Sequence, residues 1–167
     1  MFYLAQKYFF FEYDNEKILK NLIRFLFQNE NYFLFDITCD GIPELWVTYG
    51  ESEANHLLRV CTYVKENKYK ILHEGYADHS SFYEGNGYII KMWATMGEAS
   101  WTKYTFNGKK IVETTIYEED VNEVDAEGNH FYRDYKTPTE KYIELHSFHD
   151  VEPIKRAIGL ESHILYK

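Results

Sequence analysis

The chain has 167 residues, 45% apolar or aromatic and 27% charged, with 27 acids against 18 bases and a formal net charge of −9. That length fits one domain (1–167) with a real core, and that hydrophobicity excludes a disordered chain. The negative balance lacks the basic footprint of a nucleic-acid binder, and no apolar run reaches the ~18–20 residues of a bilayer span.

Residues 1 to 30 are helical in pattern. Leu4, Tyr8 and Phe11 recur at helical spacing, as do Ile18, Leu22, Phe25 and Leu26. The stretch EYDNEK between them reads as a kink or break, with Asp14 or Asn15 as N-cap of a second helix. The apolar start has neither a basic n-region nor a small-residue cleavage site, so it reads as a helix face.

The pattern then changes to strands. Residues 32–36 and 45–49 flank a Gly-containing loop, and 57–64 and 69–73 flank the polar KENK. Residues 88–95 form an Ile-, Trp- and Met-rich strand whose apolar members fall on both faces, so both are expected to be covered. Residues 101–106 and 109–117 surround Asn107-Gly108, which predicts a two-residue hairpin loop with Tyr104 facing Ile111. A further pair of strands is expected around DAEGN (125–129). In TPTEKYIELHSF, Thr137, Pro138 and Glu140 stand as N-cap, first-turn proline and capping-box acid, which predicts a short C-terminal helix. The expected fold class is therefore α+β: an N-terminal helix or helix pair, an antiparallel meander of about six to eight strands, and a short C-terminal helix.

The loop in FLFDITCDGIPELWVTY is the main candidate site. Asp36, Thr38 and Asp40 alternate, Gly41 turns the chain, Ile42 offers its carbonyl and Glu44 follows. Calcium takes several hard oxygen ligands around such a sharp Gly turn. An EF-hand would need helical flanks and an acid at position 47, where Val47 stands, so that reading fails. The same residues also suit a metal-free turn, with Asp36, Thr38 and Asp40 capping backbone N–H groups.

FDITCDGIPELWV resembles the Asp-Ile-Asn-Gly-Asp-Gly-Ile-Pro-Glu-Leu segment of small, mostly uncharacterised exported bacterial proteins. That segment is in turn similar to the strand-loop-strand calcium loops of integrin-type propellers. The resemblance implies Asp36, Asp40 and Glu44 as side-chain ligands and Ile42 as carbonyl donor. Gly41, Pro43 and Leu45 match the framework. Thr38 and Cys39 depart from the pattern, which implies calcium affinity that is weak, ~0.1 to 1 mM, or absent. It also implies an extracytoplasmic location.

Other constellations are sparse. Of the seven histidines, His146 and His149 lie three apart without a third zinc-type ligand; these, with His73 and His79, read as helix-end or exposed side chains. Neither Cys39 nor Cys61 has a local activating group, and the two permit a disulfide without requiring one. Ser80 and Ser81 lack an elbow motif, and the GNG at 85–87 reads as a turn. The 16 tyrosines suit core filling or a strand face that binds carbohydrate or peptide, with Trp93 and Trp101 near such a patch. The segment from Glu113 to Glu127 holds seven acids and no Lys or Arg, a solvated hairpin or a docking surface for a basic partner. The expectation is a non-enzymatic accessory or binding domain of an exported protein with a degenerate calcium-type loop. Its rival is a cytoplasmic acidic inhibitor or immunity-type protein that binds a basic partner.

Overall fold

Alternation of apolar and polar residues is the main organising signal. In the computed structural model, which describes residues 31–64, 68–147, 150 and 152–157, it produces two antiparallel meanders of four strands. The first runs β1 (Asn31–Phe35), β2 (Glu44–Tyr49), β3 (Leu57–Val64), β4 (Lys68–Tyr76). The second runs β5 (Ser80–Gly85), β6 (Tyr88–Thr95), β7 (Glu98–Phe106), β8 (Ile111–Asp120). Two short strands complete them: β11 (Lys141–Tyr142) pairs with β5, and β12 (His146–Ser147) pairs with β1. Two five-stranded sheets result, ordered β12-β1-β2-β3-β4 and β11-β5-β6-β7-β8. A separate two-stranded ribbon, β9 (Asn122–Val124) with β10 (His130–Tyr132), follows β8.

The sheets pack face to face. Phe33, Trp46, Leu58 and Val60 of the first meet Phe82, Ile89 and Tyr104 of the second in one buried cluster. Phe33 contacts Phe82 with ring centroids 5.2 Å apart, and Trp46 meets Tyr104 edge-on at 5.8 Å. Strand β6 is covered on both faces as expected: Ile89 joins the inter-sheet core, while Ile90 and Met92 pack with Tyr83 on the other face. On the outer face of the first sheet, Tyr32 packs with Ile154 of a helix α1 (Glu152–Ala157).

The α+β expectation is contradicted: the described residues form a β-rich two-sheet fold with one short helix. The predicted N-terminal helix or helix pair lies outside the described residues, as does His149. The helix predicted from Thr137 is also corrected. Ile143 and Leu145, two apart, pack onto the inter-sheet core, and the Ile143 N–H donates to the Phe82 carbonyl at 2.8 Å. An extended chain reaches both sheets and partly buries both side chains, which the local capping preferences cannot match. The helix forms later, where the Asp150 carboxylate accepts the Glu152 N–H at 3.2 Å and Pro153 sits in the first turn.

The hairpin at Asn107-Gly108 exists, but its loop holds four residues. Phe106 opposes Ile111 and Tyr104 opposes Glu113, correcting the predicted Tyr104–Ile111 pair. The Asn107 side chain is the reason: its Oδ1 accepts the N–H groups of both Lys109 and Lys110. Gly108 sits at φ +85° with nothing within 4 Å of an added Cβ. Gly108→Val should therefore cost about 1 kcal/mol through backbone strain alone, read as a lower denaturant midpoint with an unchanged m-value.

A candidate loop site and an inter-sheet polar clamp

The loop that joins β1 to β2 is held at one end of the sandwich by an apolar plug and a buried acid. Ile37 is buried in the inter-sheet cluster. Glu44, the first residue of β2, is 0% exposed. Its Oε2 accepts the Ile37 N–H at 3.0 Å and the Thr38 N–H at 3.4 Å. Its Oε1 accepts the Thr62 hydroxyl of β3 at 3.0 Å and lies 3.4 Å from the Thr38 hydroxyl. Burial pushes the Glu44 pKa up and the nearby Asp40 charge adds to this, against the Thr62, Ile37 and Thr38 donors.

The outer turn is held by its own acids. Asp36 accepts the Asp40 N–H at 3.2 Å and the Gly41 N–H at 2.8 Å, one on each carboxylate oxygen. Asp40 accepts the Ile42 N–H at 2.8 Å, an Asx turn. Gly41 takes φ +87° as the turn demands, and Cys39 takes φ +57°. A Cβ at Gly87, in the β5–β6 turn, would lie 3.5 Å from the Cys39 sulfur, so the loop rests on the second sheet.

The structure thus brings Asp36, Thr38, Asp40, Ile42 and Glu44 into one loop, as their spacing suggests. It directs the carboxylates of Asp36, Asp40 and Glu44 onto backbone N–H groups. Calcium needs about six to eight oxygens around one point. Among the described residues no three acid, histidine or cysteine side chains are grouped to hold a metal ion, these three acids included. In this structure the Asp36, Asp40 and Glu44 carboxylates serve as acceptors that shape the turn.

A second polar cluster closes the opposite side of the sandwich, where β4 and β8 are the outermost strands. His73 of β4 is a correction to the expected exposed histidine: its side chain is 10% exposed and packs edge-on to Tyr104, centroids 5.3 Å apart. It faces inward because a bulge after Val60 sets it opposite that inward residue. Its Nε2 lies 3.3 Å from Glu113 Oε1 of β8, an ion-pair distance without hydrogen-bond alignment. Lys91 of β6 shares the interior: its Nζ donates to the Tyr76 carbonyl at 2.7 Å and lies 5.9 Å from the Tyr104 ring. Burial holds the Lys91 pKa below its usual value against the pull of Glu113 and Asp78. Burial and Glu113 push the Tyr104 hydroxyl far up, so it stays protonated. Trp93 donates to Asp78 at 3.1 Å, so it is tied down at its indole N–H.

This clamp escaped the reading of the sequence, and only Lys91 signals it, as a lone cation inside YIIKMWAT. Its chemistry predicts a pH effect. Burial depresses the His73 pKa below 6.5 and Lys91 adds to this, while Glu113 and Glu74 oppose it. The unfolded chain then binds the proton more readily, so stability is full above pH 6.5 and falls as pH drops below that value. The slope approaches about 1.4 kcal/mol per pH unit at most. His73→Phe should remove this component when denaturant melts of the two proteins are compared across pH.

Cys39 and Cys61 are free thiols, one exposed and one half-buried, and burial raises the Cys61 pKa. His146 lies in β12 beside the Tyr32 ring at 5.5 Å. Trp101 packs at a tilt against Tyr117 on the second sheet, ring centroids 4.3 Å apart. No protein-family model matches the chain, and neither a curated protein nor a solved structure does.

Proposed function

We propose that the protein is a non-enzymatic binding domain, an accessory module of an exported bacterial protein. Its 36–44 segment keeps the form of a strand-loop-strand calcium loop but works as a metal-free turn. The observation that carries this reading is the buried Glu44 carboxylate, which accepts two backbone N–H groups and a threonine hydroxyl. Four groups with shifted proton affinities support it further. Glu44, His73, Lys91 and Tyr104 lie inside the sandwich, holding the loop or joining the sheets. Perturbed groups in a catalytic site would instead converge on a cleft. The related reading, an acidic inhibitor of a basic partner, is favoured by the six carboxylates and single arginine of residues 118–133.

The test is thermal unfolding with added calcium. A ligand that binds only the folded state stabilises it by about 1.4 kcal/mol at ten times its dissociation constant. For a domain of this size that raises Tm by about 3 °C or more. The proposal expects no rise up to about 5 mM calcium, above the ~0.1 to 1 mM range of weak extracellular sites. A saturable rise, lost in Asp40→Ala, would establish the loop as an ion site and overturn the metal-free reading.

A further inference from the structure

We propose that the β9–β10 ribbon, with the end of β8 at its root, is a docking arm for a basic protein segment that also carries apolar side chains. The inference deepens the binding-domain reading and rests on it. The ribbon has an unusual combination of features: it is firmly built, yet its described side chains on both faces stay exposed. Register places Phe131 on the face of Glu123 and Val124 on the other, and the two are 45% and 56% exposed. A two-stranded ribbon alone is marginal in water, so its ends must hold its shape.

They do. At the root, Val121 is fully buried and its N–H donates to the Gly97 carbonyl at 2.7 Å. Arg133 reaches Glu119 at 2.7 Å and Glu123 at 3.3 Å. At the tip, Asp125 Oδ1 accepts the N–H groups of Glu127 and Asn129, and Gly128 turns at φ +86°. The exposed apolar side chains thus sit on a pre-shaped frame, which lowers the ordering cost of binding.

Charge and sheet geometry select the partner. Residues 118–133 hold six carboxylates against one arginine, a field that attracts cations and repels nucleic acid and anionic membranes. Strand addition at the long edges is hindered, because the ladders carry bulges within β3–β4 and β7–β8 and His73 and Glu113 point inward there. A partner therefore wraps side chains of the ribbon, with Phe131 as the apolar anchor on one face and Val124 on the other.

The test uses the full chain and two synthetic peptides of equal charge, one alternating Lys with Leu, the other Lys with Ser. The Leu peptide should bind about tenfold more tightly or better, since each buried apolar anchor is worth a factor of that size. Binding should weaken with salt and shift the amide resonances of residues 118–133. Combining Phe131→Ser with Val124→Ser should erase the preference, and Glu118→Lys with Glu127→Lys should weaken both peptides. These side chains are exposed, and an unchanged Tm verifies folding of each variant. No binding, equal affinities, or a preference that survives the serine variant would overturn the proposal. Resonance shifts confined to Leu57, Ile71 and Tyr76 on the first sheet would overturn it while keeping the binding-domain reading. Self-association abolished by Phe131→Ser would overturn it in favour of a second copy of the chain.

Discussion

Replacing Glu44 by alanine should lower stability by about 2–4 kcal/mol, whereas glutamine at the same position should leave it unchanged or raise it at neutral pH. Alanine removes the acceptor from the Thr38 N–H and the Thr62 hydroxyl and leaves the Ile37 N–H with only the Phe35 carbonyl at 3.1 Å. Each buried donor so abandoned costs about 1–3 kcal/mol. Glutamine keeps a carbonyl oxygen for the backbone donors and turns its amide toward the threonine hydroxyls, which also accept. The sign with pH follows from burial, which raises the Glu44 pKa above 4.5. A raised folded-state pKa contributes stability that is full below pH 4.5 and lost as pH rises through the folded value. Glutamine mimics the protonated form, so any advantage of Glu44→Gln at pH 7 should shrink toward pH 4.5. Denaturant melts of the three proteins at both pH values measure this. A metal ligand would behave in the opposite way, because an adjacent cation favours the ionised acid.

Trp46→Ala should cost about 3–5 kcal/mol, the largest effect of any single replacement considered. The side chain is fully buried at the centre of the sandwich, stacked on Phe33 at 5.3 Å and edge-on to Tyr104. Its truncation removes the contact through which β2 meets β7, so both sheets lose packing. Trp46→Phe should cost far less than its volume change suggests. The Trp46 indole N–H is buried without a hydrogen-bond partner among the described residues, and phenylalanine removes that orphan donor. Urea midpoints for the two variants test the contrast; equal losses would mean that the indole N–H is satisfied.

Much of the strand layout was legible because alternation and turn residues agreed. The pairing of β1 with β2 around the loop is as expected, and β6 spans the predicted Tyr88–Thr95. The ribbon closes around Asp125–Asn129 where DAEGN suggested it would. What failed was decided by partners distant in sequence. Thr137, Pro138 and Glu140 are local helix signals, overridden when Ile143 and Leu145 found the core. Asn107-Gly108 looked like the tightest turn, yet two-residue loops occur instead at Asn86-Gly87 and Met96-Gly97. Met96 there adopts φ +50°, a conformation its residue type does not advertise. At the candidate site, spacing identified the loop but not the allegiance of its acids. Thr62 lies 18 residues from Glu44, and only the β2–β3 register brings the two together.

The most direct test of the claim that Glu44 locks the loop is its own titration. Carboxyl-carbon NMR of the wild-type protein, assigned with Glu44→Gln, reads its pKa with and without calcium. The account predicts a value above the usual 4.5, the same within error at about 5 mM calcium. A Glu44 that titrates at or below 4.5, or whose pKa falls when calcium is added, would contradict it.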